Sequence, residues 1–357
     1  MMPYPLLGMA NRTRNRQFTK RKMAKVPPLQ TSLRFNLVPG ATNTALAYVD
    51  SFKSLSQVNR KLIRQGHNLA IGSVEFSFEG DPNAVSLVEL SAFTAGNTWI
   101  VQNSWTKGFA LWKQMQDLVL HDNPSIKGKW RDFKVQLETD QTTGNTLPAL
   151  DGQGNVYTGT GSSPNGEWSY STFVMPQHDV DLASGLPKDA PEYTAVLIGD
   201  DSNPTPLTGK RSLAKAYADS RATVQFTDPN VPAAMSTSFF NLLTDSGSQE
   251  PELADVIEDE NDQPPYDYNE YPGAEVIAPT PTLQSYSVAS IGMPKAELPG
   301  FLAQCGLIKF EFKAWDQNGV RIPALGGVGA PFENGVKIKI NYVPGGSKGV
   351  VCAPMGQ

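Results

Sequence analysis

Two segments near the C-terminal end of the sequence alternate strictly between apolar and polar residues. In Leu307–Trp315, Ile308, Phe310 and Phe312 point to one face, and charged side chains occupy positions 309, 311 and 313. Val336–Val343 follows the same rule, with lysines at positions 337 and 339. Because successive side chains of a strand point to opposite faces, this pattern predicts two half-buried β-strands.

Shorter segments of similar character recur along the chain, and 31 glycines and 28 prolines supply turns between them. The further predicted strands are Val74–Phe78, Leu87–Phe93, Phe133–Leu137, Trp168–Met175, Tyr193–Ile198, Thr223–Phe226 and Leu283–Ala289. A helical period predicts helices at Asp50–Arg64, 104–120 and Lys210–Ala218. Strands and helices do not alternate regularly, as an α/β fold requires. We therefore predict an all-β protein, a single jelly-roll β-sandwich of eight strands with long loops and a few short helices.

The charge of the chain is strongly segregated. Of the 30 basic and 35 acidic residues, eight basic and no acidic residues precede Asp50, so the remainder has a net charge of −13. The eight are Arg12, Arg14, Arg16, Lys20, Arg21, Lys22, Lys25 and Arg34. Such a tail cannot bury enough apolar surface to fold alone, so residues 1–36 are predicted to be a disordered, nucleic-acid-binding arm. A nuclear-import signal and a merely solvated tail are the alternatives.

An acidic, proline-containing segment lies in the second half of the chain. Residues 245–275 contain eleven acidic residues, and no basic residue occurs between Arg221 and Lys295. Clustered carboxylates can bind Ca²⁺, but the spacing of a calcium-binding loop is absent. We interpret about 245–280 as a solvated loop or insertion, with contact to a neighbouring subunit as a further alternative.

Signals for catalysis are weak. The chain has three histidines, His67, His121 and His178, and none belongs to a catalytic or metal-binding motif. The two cysteines, Cys305 and Cys352, lack metal-ligand spacing and are expected to be free thiols. We predict a protein that is not an enzyme and binds no metal or cofactor, without a signal peptide or membrane span.

Three segments carry a resemblance to a known family. They are Ser56–Gly66 (SQVNRKLIRQG), Trp105–Lys113 (WTKGFALWK) and Lys129–Val135 (KWRDFKV), in order behind the basic arm. Together they resemble capsid proteins of small circular single-stranded DNA viruses that encode a replication initiator, in particular smacovirus-like and environmental relatives. The motifs cover roughly residues 10–140.

The resemblance implies an icosahedral shell in which residues 37–357 form the shell domain and the arms point inward onto the genome. It implies identical subunits and single-stranded nucleic acid, most readily circular DNA, as partners, with a host receptor of unknown identity and no membrane insertion. The expected location is the virion, with passage through the host nucleus during assembly. Residues 139–166 and 245–275 are expected on the outer surface. The arm, with eight cations, is short for this group and would neutralise only part of a genome.

Two open questions accompany this interpretation. The apolar face of the 104–120 helix, with Trp105, Phe109 and Trp112, is expected to pack in a core, although it would also suit a subunit contact. The rival function is a soluble carbohydrate-binding or adhesin module. Its stacking platforms would be exposed aromatic residues, for which the candidates are Trp168, Tyr170, Tyr266 and Tyr268.

Overall fold

The computed structural model describes residues 29–80, 84–126, 132–157, 168–174, 192–202, 208–220, 280–327 and 330–356. The helices are α1 (Ser51–Asn59), α2 (Trp99–Asp122) and α3 (Leu213–Ser220), with a 3-10 turn at Pro124–Ile126. The strands are β1 (Ser32–Leu37), β2 (Ala45–Asp50), β3 (His67–Phe78), β4 (Leu87–Thr94), β5 (Thr172–Val174), β6 (Glu192–Val196), β7 (Thr208–Ser212), β8 (Thr282–Ser290), β9 (Lys295–Gln304), β10 (Leu307–Trp315), β11 (Val336–Tyr342), β12 (Pro344–Gly345), β13 (Gly349–Val350) and β14 (Cys352–Pro354).

Eight of these strands form two antiparallel sheets. The second sheet has the order β2-β10-β4-β8. In the first sheet β1 pairs with β11, β11 with β3, and β3 with β9. Asn68 and Leu69 of β3 pair with both β9 and β14, so these two strands lie on opposite edges of β3. The first sheet therefore has the order β1-β11-β3-β9, with β14 continuing the line of β11.

The two sheets face each other across one hydrophobic core. Phe35, Phe76 and Ile338 contribute from the first sheet, and Phe310 and Phe312 from the second, all almost completely buried. The alternation predicted for β10 and β11 is confirmed in face, because their apolar positions are buried and their charged positions are more exposed; β10 has the predicted bounds and β11 ends one residue early, at Tyr342. The mostly β character predicted from the sequence is confirmed.

One side of the sandwich is closed by the segment that follows residue 138. Tyr48 of β2 donates its N–H to the carbonyl of Asn145 (2.8 Å), and Leu147 donates to the carbonyl of Tyr48 (2.7 Å). Leu150 then donates to the carbonyl of Arg34 on β1 (2.7 Å). This part of the predicted outer loop 139–166 thus runs along the edges of β2 and β1 and satisfies backbone groups there.

A second core is built mainly from the long connection between β4 and β8, together with Tyr48, Cys305, Leu307 and Met355. It contains α2, α3 and a small sheet in which β5 is antiparallel and β7 parallel to β6. On α2, Trp105 stacks on Phe109 with ring centroids 5.2 Å apart, and Phe133 lies 6.0 Å from each of them. The expectation that this helix face packs in a core is confirmed. The expectation of short helices is wrong for α2, which has 24 residues.

The strand predicted at Phe133–Leu137 is absent. The whole segment is buried, including Lys134 and Gln136, because it lies between the two cores. Its backbone bonds partly to a side chain, since Val135 donates to Oε1 of Gln65 (2.6 Å), and it has only a single strand-like bridge at Gln136. In this segment, the alternation of apolar and polar residues therefore does not mean that one face is exposed to solvent.

Helix α1 begins where the sequence predicts and ends early. Asp50 is its N-cap and accepts the N–H of Lys53 (3.0 Å). Arg60 adopts a left-handed conformation (φ 49°), which ends the helix after Asn59 instead of near Arg64. The Asp50 carboxylate is buried and also accepts a hydrogen bond from Nε2 of Gln65 (3.2 Å).

The boundary predicted for the arm is too late. Ser32–Leu37 is strand β1, with Leu33, Phe35 and Leu37 buried in the core, so the sandwich begins before residue 37. The physical reason is the two-residue apolar period of this segment, which outweighs the charge of Arg34 beside it. Residues 1–28, the predicted strand Thr223–Phe226 and the acidic segment 245–280 lie outside the described residues.

Two smaller expectations can be compared directly. Cys305 is a buried free thiol and Cys352 a half-buried one, so both cysteines are free as expected. Across the described ranges, no helix combines the length and the apolar character needed to cross a membrane.

Candidate nucleic-acid interface

The face of the first sheet that points away from the core is polar and carries its charges in rows. Strand register places Arg34 opposite Lys339, Lys339 opposite Glu75, and Glu75 opposite Glu297. One row therefore runs from two cations to two carboxylates across the four strands. The charges of neighbouring strands meet directly, because side chains paired across an antiparallel sheet lie about 5 Å apart.

The next row on the same face is more basic. It contains Asn36, Lys337, Ser77 and Lys295, in the order β1, β11, β3 and β9. Lysines at both positions 337 and 295 leave this row with two cations and no acid. The side chain of Lys337 is more than half exposed to solvent, although its ammonium lies 3.1 Å from Oε1 of Glu79.

Lys339 is the best compensated cation of the face. Its ammonium lies 2.8 Å from Oε1 of Glu75, and the same oxygen accepts a hydrogen bond from Nδ2 of Asn341 (2.7 Å). These two contacts, the lysine first, lower the pKa of Glu75 below its ordinary value. Glu75 thus stays ionised and balances Lys339.

Arg34 lacks such compensation among the described residues. It is exposed, it lies opposite Lys339, and the described part of the chain gives it no ion pair. Like charges placed opposite each other in a sheet are destabilising. An external anion between the two side chains removes that repulsion, and the guanidinium offers two parallel donors to a phosphate.

A cavity lies directly over these residues. It has a volume of about 810 Å³ and is bounded on one side by residues 150–154, which arch over the sheet. Asp151 shapes that loop, since its Oδ1 accepts the N–H groups of Gln153 and Asn155, both at 2.8 Å. The cavity wall carries four cations, namely Arg34, Lys295, Lys337 and Lys339, against three acids, Glu75, Glu297 and Asp151.

The cavity continues toward the point where the described chain begins. A second space of about 320 Å³ shares Arg34, Lys339 and the 150–152 loop with the first, and it extends to Gln30. We name the two spaces together the basic groove. The groove therefore begins at Gln30, close to the first described residue, and crosses the outer face of the first sheet.

The chemistry of the groove suits an extended polyanion. Cations spaced along a channel neutralise successive phosphates, and such contacts carry no base information. Within the described ranges, no group of three or more His, Cys, Asp or Glu side chains is placed to hold a metal ion.

One of the eight predicted binding residues lies in this groove. Arg34 is there, and the other seven, Arg12, Arg14, Arg16, Lys20, Arg21, Lys22 and Lys25, lie outside the described residues. The sequence-based prediction missed Lys295, Lys337 and Lys339. The polar alternation of β11 was a visible signal for two of them, whereas Lys295 joins them only through the pairing of β9 with β3.

The stacking platforms of the rival function are partly removed. Trp168 is buried in the main core, and the ammonium of Lys134 lies 5.2 Å from the centre of its ring. The hydroxyl of Tyr170 accepts a hydrogen bond from Nε2 of Gln141 (3.4 Å), and its ring is half-buried. The expectation that these two rings are exposed is wrong; Tyr266 and Tyr268 lie outside the described residues.

Comparison with protein-family models, with curated proteins and with solved structures returns no match for this chain.

Proposed function

We propose that this chain is the coat protein of a small single-stranded DNA virus, which assembles from identical subunits into an icosahedral shell and packages the genome with its basic arm. The proposal starts from the pairing of the eight sandwich strands, and the segregated charge of the chain then selects the coat among the functions that this fold allows. Counted in chain order, the first pairs with the eighth, the second with the seventh, the third with the sixth, and the fourth with the fifth.

This pairing is that of one long antiparallel ribbon wrapped around a core. It gives sheets of order 1-8-3-6 and 2-7-4-5, and this order supports the proposal that the sandwich is a jelly roll. Jelly rolls are the building unit of many viral capsids, although lectins and cupins share them. The fold alone therefore does not decide between coat and carbohydrate-binding protein.

The charge distribution favours the coat. A basic arm has no role in a sugar-binding module, whereas seven cations within residues 11–25 suit a packaged polyanion. Residues 50–357 have the opposite net charge, −13, so nucleic acid is attracted to the arm and to the basic groove and not to the body as a whole.

Deletion of residues 1–25 tests the proposal. The full chain, purified from an expression host, is expected to form particles of roughly 20 nm that contain nuclease-protected nucleic acid, as small icosahedral shells do. The deleted form is expected to give empty shells or none, because the cations that offset repulsion between packed phosphates are gone. Electron microscopy shows whether particles form, and the ratio of absorbance at 260 and 280 nm shows whether they contain nucleic acid.

A matched control replaces the seven arm cations by glutamine and keeps the length of the arm. This variant should behave like the deletion if charge is what matters. Digestion of the protected nucleic acid with DNase or RNase identifies its type. A full chain that stays monomeric, or a deleted form that packages as much as the full chain, contradicts the proposal.

The basic groove makes a separate prediction about salt dependence. Arg34→Gln is expected to make the plot of log affinity for single-stranded DNA against log salt shallower by about 0.7, the value for one neutralised phosphate. The control is Lys313→Gln, a lysine on the outer face of the second sheet that pairs with Glu311 (3.1 Å). Fluorescence anisotropy with a labelled oligothymidylate measures both, and equal slopes for the two variants would exclude Arg34 from the interface.

A further inference from the structure

The four outer edges of the two sheets are protected in different ways. The edges of β2 and β1 bond to residues 145–150. The edge strand β9 carries Lys295, Glu297 and Pro299, and both charges and proline prevent strand addition. The edge strand β8 has neither device, since Thr282–Ser290 (TLQSYSVAS) contains no charged residue and no proline.

Strand β8 also exposes apolar side chains. Tyr286 is 60% exposed, Leu283 is 49% and Val288 is 47%, and all three lie on the face of the second sheet that points away from the core. From Leu283 to Ala289, no backbone hydrogen bond from another described segment reaches the open edge of the strand. A long, uncharged edge with exposed apolar residues is a template for another strand.

We propose that β8 pairs antiparallel with β8 of a second copy of this chain, joining the two second sheets into one eight-stranded sheet across a two-fold axis. This inference deepens the proposed function and rests on it for its role, because it names the contact from which shell assembly starts. The dimer itself can be measured independently of any particle.

A second copy is favoured by the sequence of the strand itself. Antiparallel pairing centred on Ser287 places Tyr286 opposite Val288 of the second copy, and the same pair occurs again on the other side of the axis. Aromatic and β-branched residues are favourable cross-strand partners. A two-fold contact needs such a self-complementary patch, and a strand without charge brings no like charges together at the axis.

The neighbouring strand supports the same arrangement. Across the sheet, Val288 lies beside Glu89 and Tyr286 beside Ser91, so the apolar stripe gives way to polar side chains there; of the three exposed residues only Leu283, beside Phe93, has an apolar neighbour on β4. A ligand lying flat on the sheet would meet the charged rows of β4 and β10, including Lys313 and Glu311. A partner at the edge meets only β8.

The experiment compares Val288→Lys with Leu46→Lys in the full chain. Both positions are exposed apolar residues of the same sheet face, 47% and 44% exposed, but Leu46 lies on β2, whose edge is already covered. Sedimentation equilibrium over a range of concentrations, at a salt level that keeps the shell dissociated, gives the dimer constant. Val288→Lys is expected to weaken dimerisation at least tenfold, whereas Leu46→Lys leaves it unchanged; circular dichroism checks that both variants fold.

A disulfide cross-link tests the proposed register, in which Ser287 lies on the two-fold axis between the two copies of β8. Ser287→Cys in a Cys352→Ser background is expected to form an intermolecular disulfide on mild oxidation, since residues on a two-fold axis approach within disulfide distance. Ser290→Cys in the same background, three positions from the axis, should not.

The outcomes separate this inference from the coat assignment. If the wild type dimerises through β8 but never forms particles, the coat proposal fails and the β8 contact stands. If wild type and Val288→Lys assemble equally well, the β8 contact is wrong and the coat proposal stands. A wild type that is monomeric at every concentration overturns the β8 contact.

Discussion

Phe310→Ala is expected to lower the free energy of unfolding by about 3–5 kcal/mol, the usual cost of removing a fully buried aromatic ring. Phe310 is completely buried at the centre of the second sheet. Its neighbours on the same face are Ala47 of β2 and Ala92 of β4. Because both neighbours are alanines, the Phe310 ring occupies core volume next to their small side chains as well as at its own position. Truncation leaves three small side chains in a row, and none of them can fill the void.

Urea unfolding of the purified chain at neutral pH, at a concentration where sedimentation shows a monomer, measures this loss. Val38→Ala is the control, because Val38 is 62% exposed and its truncation should change the free energy by no more than about 0.5 kcal/mol. A loss below about 1.5 kcal/mol for Phe310→Ala would mean that the sheets close over the gap, and that the row of alanines does not set the spacing between them.

The second large effect is a dependence of stability on pH that originates at Asp50. Burial raises the pKa of this carboxyl from 3.8 to about 6, although its hydrogen bond from the N–H of Lys53 acts in the opposite direction. The folded protein therefore binds this proton more tightly than the unfolded chain. The stabilisation is complete below pH 3.8 and is lost as the pH rises through 6. The difference between 6 and 3.8 corresponds to about 3 kcal/mol, of which about 2 kcal/mol is gained between pH 7 and pH 4.5.

Asp50→Asn isolates this contribution, because asparagine keeps the capping oxygen and cannot ionise. Other carboxylates act in the opposite sense; Glu75, for example, loses its pairing with Lys339 in acid. The informative quantity is therefore the stability difference between variant and wild type at pH 7 and at pH 4.5. It should change by about 2 kcal/mol in favour of the wild type on acidification. A difference that is the same at both pH values would show that Asp50 does not titrate in this range.

The sequence predicted best those strands that have one face against the hydrophobic core and the other face toward solvent. In β10 and β11 the alternation reported burial correctly, because each strand lies between a core and a polar face. At Phe133–Leu137 a similar alternation failed, since the segment has protein on both sides. Strand β9 was not predicted because Pro299 and Gly300 interrupt its pattern, and an edge position is what tolerates them.

The candidate site was only partly accessible from the sequence. Arg34 was chosen for its place in a run of cations, yet its place in the structure follows from the buried residues Leu33 and Phe35 on either side of it. Lys339 and Lys295 come from strands far along the chain and reach the groove through strand pairing alone. Which residues share a face is a property of topology, and the local pattern of a single chain does not contain it.

The strand order has a consequence for how the chain is made. In their sheets, β1 pairs with β11 and β2 pairs with β10. During synthesis, Ser32 therefore cannot pair with Asn341 until 309 further residues have been added to the chain. At about 5–20 residues per second, a ribosome leaves the first two strands without these partners for roughly 15 seconds to a minute. During that interval the sheet edges that β1 and β2 offer to these partners stay unpaired. Pairing over such distances also makes folding slow, so a nascent chain is expected to meet chaperones or polyanions before its sandwich is complete.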